Sequence, residues 1–151
     1  MEQNITCKTA KFFICTVAYN KMMDDGNEKR VKEAFVVDAF TFTEAESRII
    51  EEMKPYISGE FEIMDISKAP FSEIFLTDNA AADRYYKVKV KFLSIDEKTC
   101  KEKISTVVYL VQADSTQSAQ ANTDKVLGKS MMDYTLASII ETKILDIFLH
   151  S

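Results

Sequence analysis

The sequence predicts an α+β fold: two tandem ββαβ repeats related by a pseudo-two-fold axis, with antiparallel sheet pairing and two helices. Three observations carry that expectation. Between Arg84 and Ile95, Tyr86, Val88, Val90 and Phe92 alternate with Tyr85, Lys87, Lys89 and Lys91. Successive strand side chains point to opposite faces, so one face is apolar and the other basic. Turn-rich segments then separate pairs of apolar strands, and a shift of about 73 residues brings the two halves into register.

Residues 1–10 carry little pattern. From Lys11 to Met22, Phe13, Cys15, Val17 and Tyr19 alternate with Phe12, Ile14, Thr16 and Ala18, as in a strand covered on both faces along its first half. Asp24 to Asn27 is a turn signal, because Gly and Asn accept positive φ. A second strand from about Arg30 to Ala39 completes a hairpin. Thr43 with Glu46 reads as a capping box opening a helix with Ala45, Ile49, Ile50 and Met53 inward and Glu46, Arg48, Glu51 and Glu52 in water. Pro55 and Gly59 end it. A strand from about Glu60 to Ser67 follows, and Phe71–Leu76 reads as its extension or as a turn of its own.

Residues 77–83 read as a linker, after which the programme repeats. Arg84–Ile95 and Lys103–Ala113 are strands around a charged turn. A helix enters near Asp114 and ends at Leu127, with Gly128 as a left-handed cap. Asp133–Leu149 reads as a long strand or a strand with a kink. Phe13, Cys15, Val17 and Tyr19 align with Tyr86, Val88, Val90 and Phe92. Val31, Phe35 and Val37 align with Ile104, Val108 and Leu110. Phe61 and Ile63 align with Tyr134 and Leu136, and Ile74–Leu76 with Ile147–Leu149. Because a one-residue slip inverts a strand, agreement in phase argues for two repeats, 11–76 and 84–149. Each is small for a core of its own, so the expectation is one domain, 1–151, with a shared core.

With 46% hydrophobic and 28% charged residues, the composition is that of a folded chain. No apolar run reaches the length that spans a bilayer, no secretory leader is legible, and three unpaired cysteines suit a reducing cytoplasm. His150 is the one histidine, which leaves no His-based triad or ordinary zinc set. There is no glycine-rich phosphate loop and no nucleophile elbow. The chain therefore reads as a non-enzyme without cofactor or metal; a metal-dependent enzyme using only Asp and Glu is the form that enzymatic activity would take.

Seven basic residues against three acids give Arg84–Lys103 a charge of +4, which leaves −9 elsewhere in a chain of net charge −5. Such a balance opposes long nucleic acids and admits a small anion. The corresponding strand of the first repeat carries Ile14, Thr16 and Ala18 where the second carries Lys87, Lys89 and Lys91. One strand is therefore buried or partnered on a face where its relative is basic. Arg84, Tyr85, Lys87, Lys89 and Lys91 are the candidate ligand-binding residues, with the cations on phosphate and the tyrosine stacking on a base.

The segments Phe42–Ile50, Pro55–Phe61, Ser72–Phe75, Ala82–Tyr85, Met132–Tyr134 and Glu141–Phe148 resemble a domain-of-unknown-function family of about this length. That family is found in Bacteroidales bacteria and their phages. The resemblance implies a bacterial cytosolic protein, phage-borne in some cases, and transfers no catalytic residue. The functional expectation is a small-ligand-binding protein that sequesters an anionic, nucleotide-like signalling molecule. The alternatives are a protein-interaction adaptor or homo-oligomeric module, motivated by the lysine strand as a sheet edge, and single-stranded nucleic-acid binding.

Overall fold

The computed structural model describes residues 5–129 and 132–150 and is α+β. Its elements are β1 (Ile5–Thr9), β2 (Phe12–Met22), β3 (Glu28–Asp38), α1 (Phe42–Met53), β4 (Phe61–Lys68) and β5 (Glu73–Thr77). There follow β6 (Arg84–Ile95), β7 (Glu102–Ala113), α2 (Thr116–Leu127), β8 (Asp133–Glu141) and β9 (Ile144–Phe148). The strands form a four-stranded sheet, β4-β2-β3-β9, and a five-stranded sheet, β1-β5-β7-β6-β8.

Packing divides the chain into two units. One holds β2, β3, α1, β4 and β9. Its core is Phe13, Cys15, Val17, Phe35, Val37, Ala45, Ile49, Met53 and Phe148. The other holds β1, β5, β6, β7, α2 and β8, with Phe75, Tyr86, Val88, Val90, Phe92, Tyr109, Val111, Ala119 and Leu127 inside. Each unit thus has a hydrophobic cluster of its own. Each sheet buries one face under its own amphipathic helix, and the aromatics on that face supply large apolar area.

The hairpins are antiparallel ladders as the alternation predicts, and each carries its third strand on the far side of β2 or β6. The register corrects the sequence alignment in one place. Met22 faces Glu28 across the first turn, whereas Ile95 faces Glu102 across a turn one residue longer. The offset between halves is therefore 73 in β2 and β6 but 74 in β3 and β7. Phe35 and Val37 correspond to Tyr109 and Val111, not to Val108 and Leu110. In the longer turn Cys100 takes a left-handed φ of 56°, and in the shorter one Gly26 has φ 86°.

Four further expectations are corrected. α1 starts two residues early: Thr41, not Thr43, caps it by accepting from the Glu44 amide, while the Glu44 carboxylate accepts from the Phe40 amide. Arg48, expected in water, is largely buried and paired with Asp38 at the end of β3. Gly128 caps α2 at φ −63°, so its value there is close approach: an added Cβ would lie 2.7 Å from the Asp124 carbonyl oxygen. Residues 5–9 form a strand, β1, on the edge of β5.

The last correction concerns connectivity. Asp133–Leu149 is two strands, β8 and β9, separated by Thr142 and Lys143, and β4 and β5 are likewise separate around Pro70. β5 runs parallel to β7, and β9 runs parallel to β3. Short apolar runs state that a strand exists but not which neighbour it will pair with.

Candidate functional site

β6 lies between β7 and β8, with antiparallel partners on both sides. It is an interior strand, so the reading of its lysines as a guarded sheet edge is wrong. The face bearing Tyr86, Val88, Val90 and Phe92 packs with Ala119 and Leu127 of α2. Alternation places Lys87, Lys89 and Lys91 together on the opposite face.

The ladder identifies their neighbours. Lys87 lies between Leu110 and Ile140, Lys89 between Val108 and Ser138, and Lys91 between Thr106 and Thr135. Lys89 and Lys91 are exposed and Lys87 half-buried. Successive lysines are about 7 Å apart along the strand. Among the described residues none of the three has an ion-pair partner. Three ammonium groups thus share one sheet face with hydroxyl side chains beside them, an arrangement that can receive more than one anionic oxygen.

Arg84 and Tyr85 do not complete this group. Arg84 shares parity with Tyr86 and so belongs to the helix-covered face. Its guanidinium lies 3.6 Å from Glu141 and 3.8 Å from Asp83. A hydrogen bond with Tyr86, then the Glu141 carboxylate, push its pKa up. Tyr85 is on the lysine face but only 7% exposed, which removes it as a stacking platform for a base. Its carbonyl accepts from the backbone and the hydroxyl of Thr142.

What sequence reasoning missed is apolar. Leu93 sits opposite Ile104 on the same face just beyond Lys91, and Ile95 follows. These three are 37%, 63% and 67% exposed respectively, with Ile140 half-exposed beside Lys87. The signal was present in the sequence, but a one-residue alignment error in β7 turned Ile104 to the wrong face.

A family model for a domain of unknown function, DUF4494, matches residues 11–150. The chain belongs to the DUF4494 family. No curated protein and no solved structure matches it. The matched segment of this DUF4494 chain contains β2 through β9, and hence the whole lysine face; β1 lies outside it.

Elsewhere in the domain, a groove of 430 Å³ lies where α1 begins beside β4, lined by Phe42, Thr43, Glu46, Met64 and Asp65 among others. Two of the thiols, Cys7 and Cys15, are raised above the ordinary range. Burial pushes Cys15 up to about 12, with Asp65 adding to it, and burial followed by Glu73 raises Cys7. Both are held as thiols, which are poor nucleophiles and metal ligands. Among the described residues no group of His, Cys, Asp and Glu is spaced to hold a metal ion. No helix is long and apolar enough to cross a membrane.

Proposed function

We propose that the DUF4494 domain is a non-enzymatic binding protein whose Lys87–Lys89–Lys91 face takes a compact, multiply charged anion. The class that fits is a small nucleotide: phosphates on the lysines and the Thr106, Thr135 and Ser138 hydroxyls, and the less polar part against Leu93 and Ile104. The observation that carries the reading is three ion-pair-free lysines in line on an interior strand. At the matching positions of β2 the first half has Ile14, Thr16 and Ala18, so neither pairing nor packing requires the charge. Charge-assisted contacts of about 1.5–3 kcal/mol each, taken three times, support binding between roughly millimolar and micromolar. A net charge of −5 works against long nucleic acids, whose affinity rests on many phosphate contacts. The reading places the protein in a bacterial cytosol, in some cases as a phage product sequestering a host signal; the family resemblance and the cysteines free of disulfides support the location.

Titration calorimetry against a panel of cyclic and linear nucleotides tests the proposal. Heat with at least one member, abolished by Lys89→Glu, is expected; no heat across the panel removes it. The second reading, a protein-interaction module, is favoured by the exposed Leu93, Ile95 and Ile104 beside the lysines. Light scattering and affinity capture from the host separate the two, since a chain that binds a nucleotide as a lone monomer disfavours the adaptor.

A further inference from the structure

Two short strands of this chain are near copies. β5 reads Glu73-Ile74-Phe75-Leu76-Thr77, and the stretch that begins inside β9 reads Asp146-Ile147-Phe148-Leu149-His150. Both run parallel to the second strand of a hairpin, Phe75 opposite Val111 and Phe148 opposite Val37. Both phenylalanines enter the helix-covered core of their own sheet. Sequence and setting thus make the outer edges of β5 and β9 chemically alike.

The two edges differ in what covers them. In the five-stranded sheet β1 lies antiparallel outside β5, with Cys7 opposite Phe75, Lys8 opposite Ile74 and Thr9 opposite Glu73. Ile5 packs on the core there, and the other four residues of β1 are exposed, so backbone pairing is most of what holds this strand. In the four-stranded sheet β9 comes last: among the described residues no strand pairs with its outer edge. Such an edge presents backbone donors and acceptors without ladder partners. The His150 amide turns toward β3, where Asp38 accepts from it at 3.0 Å. Amides alternate sides along an extended strand, so that of Ile147 turns outward. It donates to the carboxylate of Asp146, its own neighbour, at 2.8 Å.

We propose that the outer edge of β9 is a docking site for an extended segment of a partner protein, which joins the four-stranded sheet as an antiparallel fifth strand. The segment has the chemistry of β1: small or β-branched residues in an extended run, free of proline, with a hydroxyl rather than an acid facing Asp146. In the register that β1 keeps on β5, the positions of Thr9, Lys8 and Cys7 fall opposite Asp146, Ile147 and Phe148. A second copy of this chain does not serve, because each chain carries one β1 for two such edges, and lending it strips β5. Main-chain hydrogen bonds supply the affinity in this mode of recognition, and alternate side chains supply the selectivity. The site belongs to the sheet without the lysine face and stands independently of the anion reading.

The probe is a synthetic peptide of residues 1–11 with Cys7→Ser, titrated into the isotope-labelled full chain and followed by amide resonances. Saturable shifts centred on residues 145–149 and on the residues of β3 that face them are expected. A peptide with Thr6→Pro and Cys7→Pro, which lacks a donor of each parity, should produce none. In the chain, Leu149→Pro deletes an outward donor just beyond β9 and should weaken binding about fivefold or more, the worth of one hydrogen bond. Four results each overturn the proposal: no shifts at millimolar peptide, shifts confined to residues 73–77 through exchange with the resident β1, equal binding by the proline peptide, or unchanged affinity in Leu149→Pro.

Discussion

Phe75 and Phe148 occupy equivalent places in two different sheets: one lies opposite Val111 in β7, the other opposite Val37 in β3, both in parallel register. Each has an aromatic partner on the receiving strand. Phe75 stacks on Tyr109 at 4.7 Å and Phe148 on Phe35 at 5.7 Å. The equivalence extends to irregularities. The β2·β4 ladder shifts between Thr16 and Val17, and the β6·β8 ladder between Lys89 and Val90, which are the same two positions at an offset of 73.

Removing the Phe148 ring should cost about 3–5 kcal/mol, the range for deleting a buried aromatic. Urea unfolding of Phe148→Ala, followed by tryptophan-free probes such as far-UV dichroism, measures it. A loss below about 1 kcal/mol would mean that β9 contributes little to its sheet.

Asp38 ties β3 to α1 and to the segment after β9: it pairs with Arg48 of α1 and accepts from the amide of His150. Both ion-pair side chains are more than four-fifths covered. Asp38→Ala leaves a guanidinium mostly out of water without its carboxylate, and a loss of about 2–4 kcal/mol is expected. Arg48→Met, which keeps the apolar stem, should cost less.

The cap positions give a sharper pair. Thr41→Ala should destabilise by about 1 kcal/mol, as losing an N-cap does, whereas Thr43→Ala at an exposed site in the first turn should cost a few tenths. Equal losses in thermal melts would place the helix start elsewhere.

Stability should fall on the alkaline side. Burial, reinforced by the Glu33 hydrogen bond, pushes Tyr19 up to about 12 from 10.0, and burial pushes Cys15 up to about 12 from 9.0. In both cases the unfolded chain releases its proton first, so the folded state holds more protons and stability declines as pH rises. The decline should begin near pH 9, steepen above pH 10 and level near pH 12. In Tyr19→Phe, urea midpoints should fall less between pH 10 and 12 than in the parent chain.

Much of this architecture was legible in the sequence because period two and helical period leave different marks. Tyr86, Val88, Val90 and Phe92 announced both the strand and its buried face, and that prediction holds residue by residue. The hairpins followed from their turns. Where reading stopped, the cause was a quantity that local pattern does not carry. One extra residue in the second turn inverted β7 and hid Ile104. Thr41 and Thr43 are both threonines followed by a glutamate three residues on, so pattern alone did not choose between them. β5 and β9 are five residues each, and the choice of β7 and β3 as partners is made by tertiary packing. Of the candidate site, the three lysines could be found by alternation. Arg84 was included for its charge although its parity assigned it to the other face, and the burial of Tyr85 depends on packing that the strand itself does not encode.

The central claim is that Lys87, Lys89 and Lys91 act together on an anion. The most direct measurement is calorimetric titration of the nucleotide panel into the parent chain and into Lys87→Gln/Lys89→Gln/Lys91→Gln, at low salt and at physiological salt. Binding to the parent should weaken with salt, because exposed charges are screened over about 8 Å at 0.15 M. The triple variant, folded as judged by an unchanged dichroism spectrum, should lose at least a hundredfold in affinity. Binding of equal strength in both chains, or none in the parent, would contradict the account.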